Sequence, residues 1–249
     1  MKVVILGSGT GVPIPQRQSA GIYVRAGREH LLLDCGPGSV WRLAKIGVRW
    51  LELDRVFITH FHPDHCGDLV ALLFAMRIRH PSRRKPLYIY GPNGLKRLVK
   101  RLTVAFNGWL APRNYRLVLR ELDETMISGP GWRVRTRRMR HSTAALGYRL
   151  ESNGKSLVYS GDTDACRAIV ELGHRADCLI VECSLPDECK AAGHLTPSEC
   201  GRLAAAAECR QLVLTHFYPV FGDYDIRRRI RRSYPGPVRL ARDLATWSV

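Results

Sequence analysis

Thr59-His60-Phe61-His62-Pro63-Asp64-His65 places three imidazoles and one carboxylate within six positions, directly after the apolar run that begins at Arg55. Imidazole nitrogen and carboxylate oxygen are the usual donors to a catalytic divalent ion, which they must approach to about 2.0–2.2 Å. Loops that hold several donors that closely are anchored on rigid elements, and the end of a strand is one. Pro63 stiffens the loop further. A polar surface loop is the bland alternative, but nothing structural asks for His-x-His-x-Asp-His at this spacing. Any fold for this chain must therefore present a strand end to a cluster of further donors.

The rest of the chain supplies suitable elements. Short apolar runs alternate with amphipathic segments from end to end, without a repeat, a low-complexity stretch or a long polar linker. Lys2 to Leu6, Gly21 to Arg25 and His30 to Leu33 are expected as strands, with a turn at Gly27-Arg28. Arg55 to Thr59, Leu87 to Tyr90, Trp132 to Arg138, Gly147 to Leu150, Ser156 to Ser160, Cys178 to Val181 and Gln211 to Leu214 are further strand candidates. The spacing of Cys66, Leu69, Val70, Leu73 and Met76 predicts one amphipathic helix, and Leu95, Leu98, Val99 and Leu102 predict another. Thr196-Pro197-Ser198-Glu199 begins a third, with a threonine cap, proline at the first helical position and glutamate at the third. A single α/β domain spanning 1–249 is expected.

Composition limits the function. With 45% hydrophobic and 24% charged residues, 249 positions can bury a full core. The longest apolar run, Leu69 to Met76, is eight residues, far below the roughly 20 of a membrane helix. Lys2 precedes only Val3 to Leu6 before Gly7, too short for the core of a secretory signal, so a cytoplasmic location is expected. Eight scattered cysteines without a CxxC pair fit reduced, mostly buried thiols. The 39 basic against 22 acidic residues give +17, which suits a polyanionic partner. Arginine outnumbers lysine 32 to 7, which codon bias would also produce.

His60, His62, Asp64 and His65 match the HxHxDH signature, and here the chain resembles the metallo-β-lactamase-fold hydrolases. That family needs a later histidine, a bridging aspartate and a last histidine, and this chain offers His141, Asp162 and His216. The resemblance implies that His60, His62 and His141 hold one ion and Asp64, His65 and His216 a second, with Asp162 between them. Taken singly, His141 could be a surface residue, Asp162 a turn former and His216 a core histidine; together and in order they point to a two-metal site. Asp34-Cys35-Gly36-Pro37-Gly38 resembles the family's structural aspartate and glycine turn. The implied fold is a four-layer αβ/βα sandwich: two mixed sheets face to face, helices outside, and the metals at one edge. Gly7-Ser8-Gly9-Thr10-Gly11 is expected as a tight turn near that pocket, because Val12 stands where a dinucleotide loop needs glycine and Pro13 and Pro15 oppose a following helix.

Lengths narrow the branch. The 33 residues after His216 leave no room for the substrate domain of glyoxalase II, and the 21 from His141 to Asp162 exclude a β-CASP cap. Gly193-His194-Leu195-Thr196 resembles the HxT motif of the ribonuclease Z branch, where a glutamate stands as Glu182 does, 20 residues after Asp162. That resemblance makes His194 a proton donor or charge stabiliser at the leaving oxygen, oriented by Glu182, and Asp64 an aligner of the nucleophile. His194 could alternatively do no more than flank the Thr196 cap. The transfer RNA-gripping arm of that branch does not fit between His141 and Asp162. Three basic segments could substitute: Arg77, Arg79, Arg83, Arg84 and Lys85; Arg133, Arg135 and Arg137; and Arg227 to Arg229 with Arg231 and Arg232. They could equally be solvated faces.

The expected function is metal-dependent phosphodiester hydrolysis by metal-activated hydroxide. The substrate classes are RNA, including a transfer RNA 3′ end, and cyclic or other small phosphodiesters. The alternatives are a hydrolase of carboxylic, lactone or sulfate esters on the same site and a non-catalytic basic module that binds nucleic acid. Two divalent ions are implied; zinc heads the candidates, and manganese and iron also suit the donors. Relatives in the branch are often dimers, but no residue pattern marks an interface.

Overall fold

In the computed structural model, which describes residues 1–78 and 83–249, the chain runs twice through a similar succession of elements. The first pass comprises Lys2–Gly7 (β1), Gly21–Ala26 (β2), Glu29–Leu33 (β3), helix Ser39–Lys45 (α1), Arg55–Phe57 (β4), helices Pro63–Cys66 (α2) and Leu69–Met76 (α3), Leu87–Pro92 (β5), helix Leu95–Ala105 (α4) and Leu117–Leu122 (β6). The second comprises Met126–Gly129 (β7), Trp132–Met139 (β8), Ala145–Ser152 (β9), Lys155–Tyr159 (β10), helix Arg167–Gly173 (α5), Cys178–Glu182 (β11), helix Pro197–Ala206 (α6), Leu212–Thr215 (β12), helix Ile226–Arg231 (α7), Val238–Leu240 (β13) and Thr246–Ser248 (β14).

The strands form two seven-stranded sheets, ordered β14-β1-β2-β3-β4-β5-β6 and β13-β12-β11-β10-β9-β8-β7. In each, pairing switches partway across: β14 through β3 and β7 through β10 pair antiparallel, whereas β3 through β6 and β10 through β13 pair parallel. The inner parallel strands, such as β11 and β12, are buried apolar runs because both of their faces are covered. Val3, Ile5, Phe57, Val134, Leu146, Leu157 and Ile180 pack between the sheets. Helices α1, α3 and α4 cover the outer face of the first sheet, and α5, α6 and α7 that of the second. The expected four-layer sandwich is present.

The local chemistry explains several boundaries. Thr196 and Glu199 close a capping box at α6 with Pro197 at its first position. The helix expected from Cys66 onward is instead two helices. Pro63 fits the first position of α2, so Asp64 and His65 lie in a helical turn rather than in a loop, and Gly67 and Asp68 separate it from α3. Strands β6, β7, β13 and β14 and helices α1 and α5 were not apparent from periodicity, since the last two strands span three residues each and β6 carries Arg120-Glu121. All eight cysteines are free thiols and six are buried. No helix among the described residues is long and apolar enough to cross a membrane.

The two sheets are fastened together at one end. Tyr148 Oη donates to the Ile58 carbonyl (2.6 Å), and the Leu146 amide donates to the Thr59 carbonyl (2.9 Å). Gly161, with φ +60°, lets the second sheet approach this close, because a Cβ there would lie 2.6 Å from Thr59 Cβ. Beneath this junction Asp34 is wholly buried. Its Oδ1 accepts from the Thr59 amide (2.7 Å), and its Oδ2 accepts from Thr59 Oγ1 (2.9 Å), His65 Nδ1 (2.7 Å) and Tyr159 Oη (2.8 Å). One carboxylate thus joins β3, the end of β4, α2 and β10. Asp34→Ala, which strands these buried donors, is expected to lower unfolding free energy by roughly 3–5 kcal/mol. Tyr159→Phe, which removes one donor and keeps the shape, is expected to cost about 1–2 kcal/mol. Urea titration checks both, and equal losses would contradict the shared role.

Candidate metal centre

Five of the seven donors sit just past carboxyl ends of strands, where loops of an open α/β sheet converge. His60 and His62 follow β4, Asp64 and His65 lie on α2, His141 follows β8, Asp162 follows β10, and His216 follows β12. The fold brings all seven together. His60, His62, His141 and Asp162 offer donor atoms within 4.8 Å of one another, as do Asp64, His65 and His216. Asp162 lies between the groups: its Oδ2 is 3.9 Å from His60 Nε2, and its Oδ1 is 3.2 Å from His65 Nε2 and 3.5 Å from His216 Nε2.

Hydrogen bonds behind the rings decide which nitrogen faces inward. His65 Nδ1 meets the Asp34 carboxylate and His141 Nδ1 meets the Gly193 carbonyl (2.9 Å), both acceptors only, so each Nδ1 carries the proton. Thr59 Oγ1 already donates to Asp34, so it accepts from His60 Nδ1 (3.0 Å). Ser184 Oγ donates to Glu182 and accepts from His216 Nδ1 (3.0 Å). In their neutral forms all four rings therefore turn a bare Nε2 toward the centre. His62 presents Nδ1 there, 3.3 Å from His141 Nε2.

Bare nitrogens 3.2 Å apart, as between His65 and His216, repel unless a cation or proton lies among them. His60 Nε2 and Asp162 Oδ1 are buried without a hydrogen-bond partner. These donors fit divalent ions. Burial and the neighbouring His65 hold His60 down at about 2, so that ring is neutral. Burial opposes charge on His65, but Asp162 and Asp34 outweigh it and raise that ring well above the ordinary imidazole range. Burial would raise Asp64, yet the His216 ring, with Nε2 3.3 Å from Oδ2, and the nearby His65 bring it to about 2.

His194 lies at the edge of this cluster, 4.0 Å from Asp162 Oδ2 through Nδ1. Glu182, 1% exposed, fixes it: Nδ1 is 3.1 Å from Oε1 and 3.2 Å from Oε2. Burial opposes a charge on His194, and Glu182 overcomes this to raise its pKa. Glu182 also accepts from the Thr163 and Leu195 amides (2.7 and 3.1 Å), so one carboxylate orients His194 directly and His216 through Ser184. Ser184, Thr59 and Tyr159 carry no motif of their own and were not singled out from sequence. The expected tight turn at Gly7–Gly11 is instead the end of β1 followed by an irregular stretch that bends at Gly11, but it does reach the site, a Cβ at Gly11 being 3.6 Å from Asp64 Cγ.

The basic segments, left open by the sequence, divide into cations with partners and cations without. Arg77 binds the Gly108 and Ala111 carbonyls, buried Arg83 binds those of Leu51 and Pro86, and Lys85 pairs with Asp54. Arg133 pairs with Glu151, Arg137 with Glu171 and Arg229 with Glu188, and Arg227 binds the Val238 carbonyl. Arg79 lies outside the described residues. Seven of the twelve described cations thus have partners in the fold, whereas Arg84, Arg135, Arg228, Arg231 and Arg232 make no side-chain hydrogen bond or ion pair among the described residues. The interval from His141 to Asp162 contains β9, the Asn153-Gly154 turn and β10, with no arm.

A model of the beta-lactamase superfamily domain matches residues 29–217. The ribonuclease Z of Methanosarcina mazei is 28% identical over 279 aligned positions, which cover 90% of this chain and 89% of that one. The human short-form tRNase Z structure is similar at TM-score 0.82 and 27% identity, covering 100% of this chain and 99% of that one. The metallo-beta-lactamase fold protein YhfI of Bacillus subtilis is similar at TM-score 0.85 and 24% identity, over 99% and 98% of the two chains. The chain belongs to the beta-lactamase superfamily, as a ribonuclease Z-like metal-dependent hydrolase with the metallo-β-lactamase fold.

Proposed function

We propose that this chain is a two-metal phosphodiesterase whose substrate is RNA and whose resident ions are zinc. The observation that carries the reading is the Glu182-held imidazole of His194 beside two donor groups bridged by Asp162. His60 Nε2, His62 Nδ1, His141 Nε2 and Asp162 Oδ2 would hold one ion, and Asp64 Oδ2, His65 Nε2, His216 Nε2 and Asp162 Oδ1 the other. When bound, such a pair activates water and neutralises charge that develops on the attacked phosphoryl group. Asp64 aligns the nucleophile. Glu182 keeps His194 protonated at Nδ1, and Nε2 of the imidazolium gives a proton to the departing oxygen. The ribonuclease Z of Methanosarcina mazei and the human tRNase Z support RNA as the substrate class. A 3′ end of transfer RNA fits that class if another surface replaces the arm. Arg140, exposed beside His141 and without a side-chain partner among the described residues, gives the rim positive charge, which favours a phosphodiester over a carboxylic ester.

His194→Ala is expected to reduce kcat on bis(p-nitrophenyl) phosphate by about 10²–10⁴-fold at unchanged metal content. A p-nitrophenyl carboxylic ester assayed in parallel is expected to turn over poorly. Ester hydrolysis alone, indifferent to His194, would sink the phosphodiesterase reading.

Metal uptake is expected to depend on pH. Without an ion, His65 holds a proton between Asp34 and Asp162, and that proton must leave Nε2 before an ion binds. Zinc affinity of the stripped protein should therefore rise with pH, and calorimetry on the acid and alkaline sides of neutrality should show proton release on binding. Affinity independent of pH would contradict the assignment of His65.

A further inference from the structure

We propose that the exposed face of α4 binds the phosphates of the RNA strand that enters the metal cleft, in place of an arm. The proposal rests on the RNA-hydrolysis reading above. Lys96, Arg97, Lys100 and Arg101 are all exposed, and none makes an ion pair among the described residues, unlike most cations of the basic segments discussed above. Their spacing puts Lys96 above Lys100 and Arg97 above Arg101, about 6 Å apart along the helix. Leu95 and Val99 bury the opposite side against the first sheet, so the cationic face is fixed outward.

That face begins at the metal loop. A Cβ on Gly94, which precedes α4, would lie 3.4 Å from the Phe61 ring and 3.7 Å from Arg97 Nη2. Phe61 stands between His60 and His62. A cavity of about 250 Å³ bounded by Asn93, Arg138, Met139 and Ala144 joins the same end of α4 to the loop that carries His141. Arg140 lies on that loop, and the Arg138–Asp123 ion pair lines the cavity between, so the unpaired cations are Arg140 at the cleft and the four residues of α4 beyond the cavity. A flexible chain of phosphates is the ligand that such a line fits, since contacts of this kind position a strand without reading its bases. Glu121 is an acidic neighbour of the line but makes no ion pair with it among the described residues: its Oε1 accepts from the Gly94 and Lys96 amides, which caps the helix.

The test combines Lys96→Gln, Arg97→Gln, Lys100→Gln and Arg101→Gln, which keep helix propensity. A control combines Arg167→Gln, Arg175→Gln, Arg202→Gln and Arg210→Gln, which remove the same charge from the opposite outer layer. Binding of a fluorescent RNA hairpin with a single-stranded 3′ trailer is measured by anisotropy on metal-stripped and loaded protein between roughly 50 and 200 mM salt. The α4 variant should bind at least tenfold more weakly, and its log Kd against log salt slope should fall by about 3, four phosphates at about 0.7 each. KM for the RNA should rise while kcat and bis(p-nitrophenyl) phosphate turnover stay at wild-type values, which also shows that the variant folds. Wild-type affinity and slope in the α4 variant, or equal weakening in the control, would overturn the proposal. If the wild-type protein binds no RNA but cleaves bis(p-nitrophenyl) phosphate, the α4 proposal falls and phosphodiesterase activity survives. If it binds RNA through α4 yet cleaves no phosphodiester, the hydrolysis reading falls instead.

Discussion

The carboxylate of Asp34 holds the rest of this structure in place. It sits where β3 ends with φ +57°, a conformation that is uncommon for residues other than glycine and is more accessible to aspartate than to most. From there its two oxygens take four hydrogen bonds from three other elements, one of them in the opposite sheet. A buried carboxylate is costly unless its lone pairs are satisfied, and once satisfied it tolerates little movement of its partners. Asp34 thereby fixes the height of Thr59, and Thr59 fixes His60. The same carboxylate fixes His65. Two of the seven donors are thus set by one residue that faces away from the site, and Tyr159 ties the second sheet to the same point.

A comparable arrangement recurs on the other side of the cluster, where Glu182 takes amides from Thr163 and Leu195 and orients His216 through Ser184. Asp34 and Glu182 between them commit the outer nitrogens of three of the five donor imidazoles, His60, His65 and His216, and the Gly193 carbonyl commits that of His141. The inner nitrogens then face one another and the oxygens of Asp64 and Asp162 at 3.2–3.9 Å. Such an array is repulsive unless it holds positive charge. The fold supports it through the parallel halves of the two sheets, whose apolar strands bury the supporting residues and leave the donors at the strand ends. Fold and site are one design, because Asp34, which orients two of the donors, also fastens the sheets through Tyr159.

Legibility from sequence followed the range of the interactions. His60, His62, Asp64 and His65 were legible because four donors stand in one short segment, and strands such as β1, β3 and β11 were legible as unbroken apolar runs. His141, Asp162 and His216 had ordinary explanations one at a time and gained meaning through their order. Tyr159 could not be found, since its partner Asp34 is 125 residues away; Thr59 and Ser184 stand beside His60 and Glu182, but their roles depend on Asp34 and His216, 25 and 32 residues away, which the sequence does not show to be near. The break between α2 and α3 was missed for a related reason: apolar spacing continues across Gly67-Asp68 although the helix does not.

The basic residues show the same limit in the opposite direction. Runs such as Arg83-Arg84-Lys85 drew notice because like charges stand side by side, yet a run says nothing about what its side chains meet. Arg83 is 2% exposed and caps carbonyls; Arg229 answers Glu188 across the surface. A cation whose charge is matched by an acidic neighbour or by carbonyl dipoles has little field left for a ligand, whereas one without a partner keeps its counterions and can release them. The useful quantity is therefore unpaired charge near the cleft rather than net charge, and α4, which in sequence looks like any amphipathic helix, carries more of it than the runs that attract the eye. Only the tertiary structure, by supplying or withholding partners, separates an arginine that builds the protein from one that is free to bind.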